Sequence, residues 1–103
     1  MIGVPYVYVI ARDHAGGVEW PAFDTPGGPA LVAFTNAEAA GRFRRARGFG
    51  PGWRVGGMDR AEFFRWLRHN LEQGTCLLAL NPDPGAGRHA VLPIDRLLEA
   101  AGC

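Results

Sequence analysis

Glycine and proline set the limits on how this chain can fold. Together they supply 23 of its 103 residues, close to the share at which disorder becomes the default. Here they fall in clusters between apolar runs, as turn punctuation does. The segments they leave are short, so the fold must be assembled from brief strands and two or three modest helices. A length of 103 residues suits one domain and is too short for two cores and a linker. With 48% apolar residues, such a domain can bury roughly 65% of its extended surface.

The runs between punctuation have readable periods. Residues 4–11 (VPYVYVIA) are β-branched and aromatic, which suits a buried strand. Residues 18–24 (VEWPAFD) make a weaker strand whose Pro21 points to an edge or a bulge, with Trp20 beside it. Residues 30–34 return as a strand, so 18–34 reads as a hairpin. Thr35 with Glu38 has the spacing of a capping box, and Ala39, Ala40 and Phe43 mark one face of a helix ending before Gly48. A glycine-rich connection over 48–57 leaves room for a short strand at 53–55. Asp59 with Glu62 repeats the cap spacing and opens the most amphipathic helix, carrying Phe63, Phe64, Leu67 and Leu71 inward and Arg65, Arg68 and Glu72 outward, with Trp66 on the flank, at the core edge or on the surface. Residues 76–80 form an apolar central strand, 89–92 return, and 94–101 close the chain as a helix with Leu97, Leu98 and Ala101 inward. The order β-β-β-α-β-α-β-β-α predicts a single α+β domain over 1–103, a mixed sheet with helices packed on it.

Composition removes several chemistries. All eleven basic residues are Arg, and the chain has neither Lys nor Ser. That excludes a Schiff-base lysine, a phosphate-loop lysine and a serine nucleophile. The bias toward Arg, Ala, Gly and Pro is what a GC-rich bacterial genome, thermophilic ones included, would produce. Cys76, flanked by leucines, is expected to be a buried and inert thiol, and Cys103 is terminal. Two such cysteines give no disulfide framework, and no leader or membrane span is legible, so the expected setting is the cytoplasm.

Three segments carry a family resemblance: Tyr6-Val7-Tyr8-Val9, the strand and cap from Ala30 through Phe34-Thr35-Asn36-Ala37-Glu38 to Ala40, and Gly74 through Cys76-Leu77-Leu78-Ala79-Leu80 to Asn81-Pro82. An apolar strand running into Phe-Thr-x-x-Glu, followed by a Gly-led apolar strand ending in Asn-Pro, resembles the N-terminal domain of SseB-like bacterial proteins. The resemblance spans most of the chain and implies a small non-catalytic domain. Its motifs are structural. Members often carry a second, C-terminal domain outside these 103 residues, so no function resting on that domain is carried over.

Candidate sites are few. Arg42, Arg44, Arg45 and Arg47, with Phe49 and Trp53 following, interleave guanidinium groups and aromatics as phosphate- and base-binding surfaces do. The plainer reading is a solvated helix face whose last arginines complement the helix dipole, and a formal net charge of +1 favours it. The glycine-rich loop lacks a Lys-Ser/Thr tail and is better read as a connection than as a phosphate cradle. His14, His69 and His89 form no HxH, HxxxH or HExxH pair, so no metal is implied. His69 and Glu72 are three apart near a helix end, as ordinary surface pairs are. No catalytic residue, cofactor or metal ligand is assigned. The candidate interaction surface is Trp20, Arg42, Arg44, Arg45, Arg47 and Trp53. The leading expectation is a binding module for a protein partner or for a second copy as a homodimer. The alternative is a nucleic-acid-binding domain using the Arg42–Arg47 helix.

Overall fold

The computed structural model of the protein describes residues 6–14, 16–50, 52–82 and 90–100. Ten elements run in order: β1 (Tyr6–His14), β2 (Gly17–Glu19), β3 (Phe23–Thr25), β4 (Gly28–Ala33), α1 (Ala37–Ala46), β5 (Trp53–Asp59), α2 (Arg60–Glu72), β6 (Leu77–Leu80), β7 (Ala90–Pro93) and α3 (Ile94–Ala100). This is an α+β fold in the expected order, with the second strand divided in two.

The strands form two ladders, β2-β1-β5 and β3-β4-β6-β7. One bridge joins them: Tyr8 and Phe34 exchange backbone hydrogen bonds of 2.8 Å in both directions. Only β4 and β6 run parallel; the other ladders are antiparallel. The division of residues 18–24 explains the second sheet. Gly17–Glu19 pairs back onto β1, while Phe23–Thr25 pairs forward onto β4. Pro21 lacks an N–H and stands between the two pairings, where no ladder bond is needed. The expected 18–34 hairpin is therefore a 23–33 hairpin.

Side chains alternate across the joined sheet, and both of its faces are covered. Val7, Val9, Leu31, Ala33 and Leu78 meet Phe63, Trp66 and Leu67 of α2 and Ile94 and Leu98 of α3. Ile10, Ala30, Val32, Phe34 and Ala79 meet Ala40 and Phe43 of α1. A strand buried on both faces cannot alternate polar with apolar, which is why residues 6–11 and 30–34 read as unbroken apolar runs.

Both long helices begin on an acceptor side chain. At α2, the Asp59 carboxylate accepts from Glu62 N–H (2.8 Å) while Glu62 returns to Asp59 N–H (3.2 Å), the reciprocal cap expected from their spacing. At α1 the cap lies one residue later than expected. Asn36, rather than Thr35, accepts from Ala39 N–H at 2.7 Å. The helices close toward Gly48 and Gly74, both at positive φ, where a Cβ would be strained.

The stripe of Phe63, Leu67 and Leu71 on α2 faces inward as its spacing predicts, and Trp66, whose flanking position leaves core and surface both open, is buried with it. Phe63, Trp66 and Leu67 lie inside, Phe64 and Leu71 are half-buried, and Arg65, Arg68 and Glu72 are exposed. Leu67 has no exposed surface. Leu67→Ala is expected to cost about 2–5 kcal/mol, a large share of a small domain's stability, and thermal melts of the two proteins check it.

Candidate functional site

The arginines of α1 do not form one surface. Arg42 pairs with Glu38 one turn earlier at 3.0 Å. Arg44 reaches sideways, and its Nε donates to the Trp53 carbonyl at 2.8 Å. Arg47 lies over the rings of Phe23 and Phe43, 5.4 and 5.7 Å from their centroids. Arg45 is exposed in the last turn. Three of the four guanidinium groups therefore have partners within the chain.

Trp53 is the point where several of these groups meet. Its ring lies 4.6 Å beneath the Arg12 guanidinium and 5.0 Å from Phe49, which in turn neighbours Phe43. Arg12 pairs with Glu19, and Arg54 pairs with Asp13 at 3.1 Å. Around Trp53 the structure thus gathers Arg12, Arg44 and Arg54, two of them paired with the carboxylates of Glu19 and Asp13. Arg12 already covers one face of the Trp53 ring, where a nucleobase would stack.

Trp20 belongs to a different region. It is half-buried between β2 and β3, its ring edge-on to Trp66 at 5.5 Å, and its Nε1 donates to Asn70 Oδ1 at 3.1 Å. Asn70 is the one buried polar residue on α2, and its Nδ2 donates to the Trp66 carbonyl at 2.9 Å. The pair fastens the β2–β3 connection onto the helix. Asn70 was legible in outline, because a polar residue on an apolar helix stripe requires a partner inside. Its partner lies fifty residues away and carries no sequence signal. Trp66 Nε1 is buried with no partner among the described residues.

The segments that carry the family resemblance converge at one point. β4 and β6 are parallel neighbours, and their carboxyl ends lead into Thr35 and Asn81. Thr35 N–H donates to Asn81 Oδ1 at 3.0 Å, Asn81 Nδ2 donates to Thr35 Oγ1 at 3.1 Å, and Asn81 N–H donates to the Ala33 carbonyl at 2.8 Å. Thr35 is thus a clamp residue and leaves the helix cap to Asn36. Asn81 sits at φ 50, a left-handed conformation that Asn tolerates better than most residues. Every polar group in this clamp has a structural partner.

The remaining chemistry is dispersed. Cys76 is exposed, against expectation, because β6 begins one residue later; its Sγ lies 3.8 Å from the Gly74 carbonyl. His69 and Glu72 are both exposed on α2. The His14 side chain, His89 and Cys103 lie outside the described residues. Hydrogen bonds from Glu62 N–H hold the Asp59 carboxyl below its ordinary value, with Arg65 acting in the same direction. Asp59 is therefore a charged cap at neutral pH and not a proton donor. Among the described residues no three His, Cys, Asp or Glu side chains converge as metal ligands would, and no helix is long and apolar enough to cross a membrane.

No family model matches the chain, and no curated protein matches it.

The clamp can be tested apart from the turn. Asn81→Gly keeps the left-handed backbone and removes the side-chain bonds, with an expected loss of about 1–2 kcal/mol. Asn81→Ala adds the cost of a Cβ at positive φ, about 1 kcal/mol more. Urea unfolding of both variants measures the difference.

Proposed function

We propose that this chain is a non-catalytic protein-interaction module, related in design to the N-terminal domain of SseB-like proteins. The observation that carries this reading is the outer edge of β5. In an antiparallel ladder, alternate residues direct their N–H and C=O groups to opposite sides. Tyr8 gives both groups to Phe34, so Gly57, which faces Tyr8, has no bonds to β1 and directs its own groups outward. The same alternation turns Trp53, Val55 and Asp59 outward.

Both ends of this edge are closed from within. Trp53 N–H donates to the Gly50 carbonyl, Trp53 C=O accepts from Arg44, and Asp59 N–H donates to Glu62. Among the described residues nothing bonds the outward groups of Val55 and Gly57, and β5 ends its ladder. The other edges are protected in ordinary ways: β2 and β3 have three residues each, and β7 has four and ends in Pro93. β5 has seven residues with no Pro and no Lys. An open edge of this kind receives an extended segment through main-chain hydrogen bonds.

Support also comes from what surrounds the edge. Three of the four α1 arginines, with Arg12 and Arg54, are held by carboxylates, a carbonyl and ring faces, which favours a protein partner over nucleic acid. Val55→Pro removes one outward N–H and leaves the β1 ladder intact, since Arg54, Gly56 and Met58 make those bonds. The variant is expected to melt cooperatively and to lose about tenfold in affinity for proteins retained by the wild type. Equal retention by both proteins would count against the edge. A gel shift with DNA or RNA that weakens steeply with salt would replace this reading with the nucleic-acid one.

A further inference from the structure

We infer that the occupant of the β5 edge is a second copy of the same strand, paired antiparallel about a two-fold axis at Gly56. The inference rests on the interaction-module reading and adds the partner and the register. Two open residues remain on the edge, Val55 and Gly57, placed symmetrically about Gly56. A two-fold axis at Gly56 sets Val55 opposite the partner's Gly57 and Gly57 opposite the partner's Val55. Both are hydrogen-bonded pairs, so the axis satisfies all four open groups in each copy. Shifting the register by two residues sets an open residue against Trp53 or Asp59, whose groups are already taken.

Side-chain shape agrees with this register. On the α1 face the Tyr8 ring lies over Gly57, where a Cβ would come within 3.2 Å of it. The small residue leaves room for the half-buried Val55 of the other copy to meet that ring. On the opposite face Gly56 would meet Gly56, and Met58 would meet the aliphatic stem of Arg54. A Cβ built on Gly56 touches nothing within 4 Å in the single chain. Its lack of a side chain is therefore not required by the domain's own packing, and the two-fold pairing supplies a reason for it.

Charge at the ends of β5 is largely balanced within one copy. At the Trp53 end Arg12 pairs with Glu19 and Arg54 with Asp13, and at the other end Arg65 lies near enough to act on Asp59. The register is therefore set by the open backbone groups and the side-chain fit rather than by charge.

The register makes a specific test available. Residues at a non-hydrogen-bonded antiparallel pair stand about 4.5 Å apart at Cα, inside the range of about 4.4–6.8 Å that a disulfide spans. In a Cys76→Ala, Cys103→Ala background, Gly56→Cys is expected to oxidise to a covalent dimer, while the exposed control Glu72→Cys stays monomeric. The wild type should sediment as a monomer–dimer equilibrium in the high-micromolar range. Gly56→Lys, for which the single chain has room, should raise the dimer dissociation constant at least about tenfold by placing two ammonium groups face to face. Three results would overturn the inference: a wild type that stays monomeric, a Gly56→Lys variant that dimerises unchanged, or equal crosslinking at positions 56 and 72. If a different protein is retained and Val55→Pro abolishes that retention, the edge reading survives and only the self-pairing fails.

Discussion

The two backbone hydrogen bonds between Tyr8 and Phe34 hold the architecture together. They are the backbone link between the two ladders, and the side chains of both ladders meet in the same two core clusters. With them, β1 has two partners on one side, β2 along Arg12–His14 and β4 at Tyr8, and β5 along the whole of the other. That arrangement fixes which side chains point to α1 and which to α2 and α3, because a strand cannot slip by one residue without turning every side chain to the wrong face. It also fixes which backbone groups of β5 look outward. The packing of the core and the open edge thus follow from the same pair of bonds.

The polar residues show how a domain of this size keeps its structure with little polar material. Asn70 secures the β2–β3 connection through Trp20, Asn81 secures the exit of β4 through Thr35, and Asp59 with Glu62 secures the start of α2. Polar groups of this kind fix geometry at modest net gain, because each exchanges a bond to water for a bond to protein. The groups still open on β5, by contrast, belong to the backbone.

Much of this was legible from local sequence. The face of α2 followed from the spacing of Phe63, Leu67 and Leu71, its start from Asp59 and Glu62, and its end from Gly74. Where the local signal was ambiguous, a distant contact decided. Thr35 with Glu38 has the spacing of a cap for α1, yet the contact of Thr35 with Asn81, forty-six residues away, leaves the role to Asn36. Residues 18–24 could be one strand, and the competing claims of β1 and β4 divided them. Trp20 beside a proline fits an exposed edge and its own core equally well, and Trp66 and Asn70 draw it inward. Gly56 and Gly57 look like the end of a strand over 53–55. They continue β5 because Val9 and Tyr8 pair with them and the Tyr8 ring occupies the space above Gly57. The arginines of α1 resembled a binding surface in sequence, and three-dimensional neighbours account for three of them.

Residue-resolved amide hydrogen exchange, in dilute solution where the chain is monomeric, tests the central claim most directly. If the Tyr8–Phe34 bridge orients β1 and β5 as described, both of those amides exchange only on global unfolding. Along β5, protection then alternates, slow at Arg54, Gly56 and Met58 and fast at Val55 and Gly57. Fast exchange at Tyr8 or Phe34, or uniform protection from residue 54 to residue 58, would contradict the bridge and with it the open edge.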